Sequence, residues 1–123
     1  MKTIATIALT FATLAATGVS AADIQGRWAR GDGKAKVAIA KCGADVCATN
    51  TWIKPGTTSE KVGDRLVMKI KPTDDSQYSG TAFDPQRNMT YKITVQVNGS
   101  EMTTKGCVLA GIVCKGVDWT RID

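Results

Sequence analysis

The stretch Asp23-Ile24-Gln25-Gly26-Arg27-Trp28 places a glycine and a tryptophan two residues apart. On a β-strand, alternate residues point to the same face, so Gly26 and Trp28 would share one face. A glycine allows another part of the chain to come close, and a tryptophan can close the end of a barrel while its N–H finds a hydrogen-bond partner. The stretch therefore predicts a first strand in which both residues have structural roles.

The far end of the chain, Trp119-Thr120-Arg121-Ile122-Asp123, supplies a second tryptophan and a late arginine. A guanidinium on the last strand can stack over an indole on the first strand, so Arg121 and Trp28 are predicted to interact. This pattern resembles the calycin barrels, which include lipocalins, fatty-acid-binding proteins and avidins. The resemblance implies a lipocalin-like barrel with Gly26, Trp28, Trp119 and Arg121 as structural residues.

Residues 1–22 are typical of a cleaved signal peptide. Lys2 supplies a positive charge, residues 4–17 are apolar and small, and Val19-Ser20-Ala21 fits a cleavage site after Ala21 or Ala22. A membrane anchor is the alternative, but the apolar run is shorter than the roughly 18–20 residues needed to span a bilayer. We therefore expect a bacterial protein exported to the periplasm or secreted, with no transmembrane segment after cleavage.

Residues 23–123 are enough for a single domain with a small core. Loss of one lysine with the signal peptide lowers the formal charge from +5 to +4. Lysines that alternate with apolar residues are expected on the solvent-facing side of strands, and these are Lys34, Lys36, Lys69, Lys71, Lys105 and Lys115. The charge is too scattered for nucleic acid, although attraction to an anionic envelope component is an alternative use of it.

The chain contains four cysteines, Cys42, Cys47, Cys107 and Cys114. In an exported protein an even number predicts disulfides, and three connectivities are open. The spacing favours the local pairs Cys42–Cys47 and Cys107–Cys114, each closing a turn and stabilising the fold by roughly 2 kcal/mol on the chain-entropy model. A zinc site or a redox pair is less favoured because neither spacing is C-x-x-C.

Short alternating segments separated by turn residues predict about eight strands and an all-β fold. The clearest segments cover residues 35–39, 46–53, 64–71, 78–83, 91–97 and 117–122. A short helix is the alternative for residues 64–71, because Leu, Met and Lys are good helix formers. Gly80 suggests a bend or bulge, and Asn88 suits a left-handed turn position. The simplest architecture is a small antiparallel up-and-down barrel.

The dipeptide Asn98-Gly99 is a strong signal for a β-hairpin. A two-residue loop at these positions would place Val95 opposite Met102, which pack well together. The same register would place Lys92 opposite Lys105, which repel each other. The hairpin is therefore predicted, and its register stays open.

The motifs together resemble the small secreted bacterial family called domain of unknown function 2147, which implies a lipocalin-like barrel in an exported protein and brings no established activity. The chain departs from the family pattern at Ala48 and Asn88, where glycine is usual, and in a shorter segment between Trp52 and Gly63. The shared motifs are Gly26-Arg27-Trp28, Asp32-Gly33, Cys42-Gly43, Val46-Cys47, Thr51-Trp52, Tyr78-Ser79-Gly80, Phe83-Asp84-Pro85, Thr90-Tyr91, Gly106-Cys107 and Trp119-Thr120-Arg121.

The chain contains no histidine, which excludes Ser-His-Asp and Cys-His catalysis and histidine metal sites. Its carboxylates lie in turns or between polar neighbours, and Asp84-Pro85 is predicted to cap a turn. We expect a protein that is not an enzyme and that has neither a cofactor nor a metal site.

A barrel of eight short strands is near the size at which side chains fill the interior or leave room for one small ligand. We favour a filled interior, with a modest cavity as the alternative. If a ligand binds, the predicted lining residues are Trp28, Trp52, Met68, Tyr78, Tyr91 and Ile93.

The predicted function is binding of a small hydrophobic ligand or envelope component by a monomeric exported barrel. The alternative is a structural or interaction protein without a pocket, whose lysine-rich outer faces contact an anionic envelope partner.

Overall fold

The computed structural model describes residues 23–108 and 110–123, and the predicted signal peptide at 1–22 lies outside the described residues. Eight strands form in the described part of the chain. They are β1 (Gly26–Arg30), β2 (Ala35–Cys42), β3 (Asp45–Ile53), β4 (Arg65–Pro72), β5 (Gln77–Asp84), β6 (Met89–Asn98), β7 (Glu101–Val108) and β8 (Val113–Arg121).

The eight strands form one closed barrel in which each strand pairs with the next in antiparallel orientation and β8 returns to pair with β1. This confirms the predicted all-β, up-and-down architecture. The segment at 64–71 contains strand β4 and not the alternative helix, because its apolar residues alternate toward the barrel interior. Among the described residues, no helix is long and apolar enough to cross a membrane.

The core occupies the barrel interior because apolar side chains alternate with polar ones along the strands. In β6, for example, Ile93, Val95 and Val97 are buried while Lys92 and Gln96 are exposed. Burying each such aliphatic side chain contributes roughly 1.5–3 kcal/mol. The buried cluster consists of Ile24, Trp28, Val37, Ile39, Met68, Ala82, Ile93, Val95, Val97 and Met102.

The N-terminal segment and Trp28 close one end of the barrel. Trp28 is fully buried, and its Nε1 donates a hydrogen bond of 3.0 Å to the carbonyl of Ile24. The guanidinium of Arg121 lies over the Trp28 ring, as the sequence predicted. Gly26 has a φ of +132°, and a Cβ at this position would lie 2.6 Å from Nη1 of Arg121. The glycine therefore makes room for the arginine side chain.

The β6–β7 hairpin forms as predicted, but the suggested pairing of Val95 with Met102 is wrong. Asn98 pairs with Glu101, so the turn residues are Gly99 and Ser100, and Gly99 has a φ of +62°. This register places Val97 opposite Met102, and both side chains are 2% exposed. It also avoids a direct pairing of Lys92 with Lys105, since Lys92 faces Cys107 and Lys105 faces Thr94.

A register shift between Lys36 and Val37 changes the face of the barrel on which the side chains of the last β3 residues lie. Lys36 pairs with Trp52 while Val37 pairs with Asn50, so Thr51 is an extra residue. A β-bulge of this kind reverses the alternation that the preceding residues follow. Trp52 consequently lies on the outside of the barrel, 38% exposed, with the Lys36 ammonium 5.2 Å from its ring centroid.

The predictions for Asn88 and Gly80 have different outcomes. Asn88 has a φ of +51°, which confirms its predicted left-handed conformation. Gly80 does not mark a bulge, because the β4–β5 and β5–β6 pairings continue through it without a shift. A Cβ at Gly80 would instead overlap the carbonyl oxygen of Lys69, so the glycine permits a close approach of two backbones.

The two disulfides pair as the spacing favoured, Cys42 with Cys47 and Cys107 with Cys114. The first joins β2 to β3 beside their connecting turn. The second joins directly opposed residues of β7 and β8. Each bond therefore fixes one hairpin of the barrel.

Candidate functional site

A cavity of about 440 Å³ opens at the end of the barrel opposite the Trp28 closure. This end carries the β1–β2, β3–β4, β5–β6 and β7–β8 connections, as the order of the strands requires. The expectation of a filled interior is therefore wrong for this half of the barrel. The interior is not filled there because short residues, Ala48 and Gly106, line the wall.

Apolar side chains form most of the cavity wall. They come from inward-facing positions of several strands and include Val37, Leu66, Ile93, Val117 and Trp119. The Trp119 indole is held by a hydrogen bond of 3.0 Å from its Nε1 to Oγ1 of Thr104. A smaller void of about 60 Å³, lined also by Ile24 and Met68, adjoins the cavity toward the closed end.

The mouth of the cavity carries an ion pair between β1 and the β3–β4 connection. Arg30 donates two hydrogen bonds of 2.7 Å to the carboxylate of Glu60, and its Nε contacts Asp32 at 3.0 Å. The hydrogen bonds that Arg30 donates lower the pKa of Glu60, and this effect outweighs burial, which raises it. The bidentate geometry fixes both the arginine and the loop residue that it holds.

A second charged group at the mouth is centred on Asp84, which is 5% exposed. Its Oδ1 accepts hydrogen bonds from the backbone N–H groups of Gln86 and Arg87, confirming the predicted cap of the β5–β6 turn. Its Oδ2 accepts from Nη1 of Arg87 at 2.8 Å and from the Tyr91 hydroxyl at 3.2 Å. Burial opposes ionisation of Asp84 most strongly, but these bonds together lower its pKa.

Each of the two charged groups forms a hydrogen bond with the β3–β4 connection. Arg30 binds Glu60, and Nη2 of Arg87 donates a hydrogen bond to the carbonyl of the preceding residue, Ser59. The connection is also tied to β3, where Nδ2 of Asn50 donates to the carbonyl of Lys61 at 3.2 Å. The position of this loop at the cavity mouth is therefore determined by several hydrogen bonds.

Lys115 is a cation on the inner face of β8. Ile93 pairs with Gly106, and Gly106 pairs with Lys115, so the three positions share the face on which Ile93 is buried. Lys115 is exposed, as the prediction of a solvent-facing lysine requires, but it reaches solvent through the open mouth of the barrel and not from its outer face. A Cβ at Gly106 would meet no atom within 4 Å, so the wall is open beside the lysine.

The predicted ligand-binding residues are distributed over four places. Tyr91 and Ile93 line the cavity. Met68 lines only the smaller void, and Trp28 and Tyr78 pack in the core toward the closed end. The prediction of an interior position for Trp52 is wrong because of the bulge in β3.

Of the four predicted structural residues, Gly26, Trp28 and Arg121 lie together at the closed end, where Arg121 stacks on Trp28. Trp119 lies elsewhere, in the wall of the cavity, with Met102 opposite it on β7.

Sequence reasoning missed the charged residues of the mouth, Arg30, Glu60, Arg87 and Lys115. The first three come together only through the barrel closure and loop placement. Lys115 could have been found, because it stands between Val113 and Val117 with Trp119 two positions further, on the apolar face of β8. The described residues contain no group of three or more cysteines or acids that could hold a metal ion.

The fold and the site define a closed, eight-stranded antiparallel barrel with an apolar cavity that opens between charged loops. The chain belongs to the family of uncharacterized proteins conserved in bacteria, domain of unknown function 2147, whose family model matches residues 26–121. The resemblance noted in the sequence is thus confirmed.

A solved structure described as a redesigned β-barrel is similar in fold, with a TM-score of 0.52 and 14% sequence identity. The match covers 80% of this chain and 90% of that chain, and it supports the barrel fold alone. No curated protein matches the sequence.

Proposed function

We propose that this protein binds a small hydrophobic molecule in the barrel cavity and that it does so without catalysis. The observation that carries the proposal is the cavity of about 440 Å³, with its apolar wall and its charged mouth. Ligand sites are typically concave, mostly apolar and provided with a few polar groups that fix orientation. This cavity has each of those properties.

The volume limits the size of the ligand. At about 30 Å³ for each non-hydrogen atom, the volume that one molecule takes up in liquid water, the cavity holds on the order of 15 such atoms. A short alkyl chain or a molecule with one or two small rings fits this limit, and a full-length phospholipid does not. The ligand we propose is therefore a small envelope metabolite or a fragment of a lipid.

We place this binding activity outside the cytoplasm, in a monomer of the periplasm or of the secreted fraction. The two disulfides support this compartment, because such bonds persist in oxidising environments. The predicted signal peptide agrees with it.

An NMR titration with decan-1-ol tests the proposal. We expect chemical-shift changes at the backbone N–H of Gly106 and the indole N–H of Trp119, which line the cavity. Gly106→Leu should abolish them, because its side chain would occupy open space in the cavity without overlapping the backbone. Gly116→Leu is the matched control, since Gly116 pairs with Lys105 on the outer face of the same two strands.

Absence of any shift in the wild-type protein, with decan-1-ol and with its anionic analogues, would overturn the proposal. Equal binding by the Gly106→Leu variant would also overturn it, because the ligand would then occupy another place. Native mass spectrometry of protein purified from the exported fraction of its own host would complement the titration, since a retained ligand would appear as added mass.

A second candidate function is contact with an anionic envelope partner. Lys69, Lys71, Lys92 and Lys105 lie on one outer face across β4–β7, and among them only Lys69 contacts a carboxylate, that of Asp45 at 3.1 Å. Binding to anionic vesicles that is lost in Lys92→Gln/Lys105→Gln, with no response to decan-1-ol, would favour this candidate over the first.

A further inference from the structure

We propose that the cavity ligand carries one anionic group and that Lys115 binds this group at the mouth while the apolar body lies inside. This inference rests on the proposed binding function and names the chemical class of the ligand. The candidate groups share one chemistry, a compact anionic head such as a carboxylate or a phosphate or sulfate ester.

The position of Lys115 on the inner face of β8 supports the proposal. Its partner across the β7–β8 ladder is Gly106, and the next residue in the same row is Ile93, which is 6% exposed. Because Gly106 has no side chain, the lysine stem is free to lie along the wall at this row. The ammonium can therefore approach the head of a ligand whose tail contacts Ile93.

The pairing of the charges at the mouth also supports the proposal. Arg30 is paired with Glu60 and Asp32, and Arg87 is paired with Asp84. Within residues 23–108 and 110–123, Lys115 has no carboxylate partner, although it lines the cavity. Glu60 and Asp84 each have an arginine partner that reduces their repulsion of an anion, although Arg30 is shared between Glu60 and Asp32.

The two remaining charges at the mouth, Asp64 and Arg65, have opposite signs and therefore leave Lys115 as the charge that decides the preference. Asp64 binds the backbone N–H of Lys61, and the nearby Arg65 has no ion-pair partner in the described part of the chain. An anionic head would gain a charge-assisted hydrogen bond from Lys115, which is stronger than a bond between neutral groups. A neutral head would gain less, and a cationic head would be repelled.

The experiment compares three ligands with the same alkyl chain, decanoate, decan-1-ol and decyltrimethylammonium, by NMR titration at pH 7 and low salt. We expect decanoate to bind at least about 10-fold more tightly than decan-1-ol, and the ammonium compound to bind most weakly. Decyl phosphate and decyl sulfate, added to the series, show which anionic head is preferred, and a preference for any of the three over the alcohol supports the proposal.

Lys115→Met removes the charge and keeps an apolar stem. It should reduce the affinity for decanoate about 10-fold and leave that for decan-1-ol within about 2-fold. Lys115→Arg should restore most of the preference. Lys105→Met is the matched control, because Lys105 lies on the outer face of the neighbouring strand and should leave both affinities unchanged.

The outcomes distinguish failure of the anionic head from failure of cavity binding itself. If decan-1-ol binds as tightly as decanoate, decyl phosphate and decyl sulfate, or if Lys115→Met leaves the preference intact, the anionic head is refuted and cavity binding stands. If none of the ligands shifts the cavity resonances, both proposals are refuted.

Discussion

The guanidinium of Arg121 lies over the indole ring of Trp28, with its Cζ 4.2 Å from the ring centroid. The two residues are direct partners in the β1–β8 pairing that closes the barrel. Arg121 also donates hydrogen bonds of 2.8 Å to the carbonyls of Gln25 and Asp23. One side chain from the last strand thus holds the N-terminal segment across the closed end.

Replacement of Arg121 should weaken this closure. We expect Arg121→Met to lower the free energy of unfolding by about 1–3 kcal/mol, because it removes a cation–π contact and two charge-assisted hydrogen bonds. Arg121→Lys should recover only part of the loss, since one ammonium cannot reproduce the planar fork of a guanidinium. Urea unfolding measures both variants, and full recovery by lysine would show that the fork geometry is unimportant.

Trp28 and Trp52 should differ strongly in their contribution to stability. Trp28→Ala should cost about 3–5 kcal/mol, as for a buried aromatic side chain. Trp52→Ala should cost less than about 1 kcal/mol, because its ring lies outside the barrel and contacts Lys36. Denaturant unfolding of the two variants provides an internal comparison. A loss under about 1 kcal/mol for Trp28→Ala would contradict its role in closing the barrel.

Gly80 and Gly106 should respond differently to the same substitution. Gly80→Ala should destabilise the fold by about 3 kcal/mol or more, because the new Cβ would overlap the Lys69 carbonyl oxygen. Gly106→Ala should change stability by less than about 1 kcal/mol, since its Cβ would enter open space. Thermal unfolding monitored by far-UV circular dichroism measures this contrast, and similar losses would argue against the open wall at Gly106.

The carboxylates at the mouth should make stability depend on acid pH. The pKa values of Glu60 and Asp84 are lowered, so the folded protein binds fewer protons than the unfolded chain. Their stabilisation is complete above the ordinary carboxyl range. This stabilisation is lost as the pH falls below the ordinary pKa values, 4.5 for Glu60 and 3.8 for Asp84, and through the lowered values of the folded protein.

Glu60→Gln should flatten this acid dependence and cost about 1 kcal/mol at pH 7, a modest value because solvent screens the partly exposed pair. Glu101→Gln is the control, since Glu101 is exposed and its side chain makes no ion pair in the described residues. Urea unfolding at a series of pH values from about 7 to about 3 measures the effect. An unchanged acid dependence in Glu60→Gln would mean that the Arg30–Glu60 pair does not stabilise the fold.

The architecture was predictable because its signals are local. Alternation and turn residues indicated the strands, short cysteine spacings favoured the two local disulfides, and Asn88 supplied a left-handed turn position. The contact between Arg121 and Trp28 joins opposite ends of the chain, yet it was predictable from the resemblance to barrels that carry the same pair.

The candidate site was less predictable because small irregularities change which face a residue occupies. One extra residue at Thr51 moved Trp52 from the interior to the outside. A shift of the turn to Gly99 and Ser100 changed the partner of Met102 from Val95 to Val97. The extra residue in β3 reverses the face of a side chain, because the side-chain period of a strand is two. The hairpin shift changes the partner of Met102 and keeps Val95, Val97 and Met102 buried.

The sequence by itself determined a closed all-β barrel, its approximate strands and the residues that close one end, because periodicity and turn chemistry act over a few residues. Only the tertiary structure decided that the other end is hollow. That hollow depends on how eight strands converge, and the pairing of Arg30 with Glu60 and the isolation of Lys115 depend on loops brought together from distant parts of the chain.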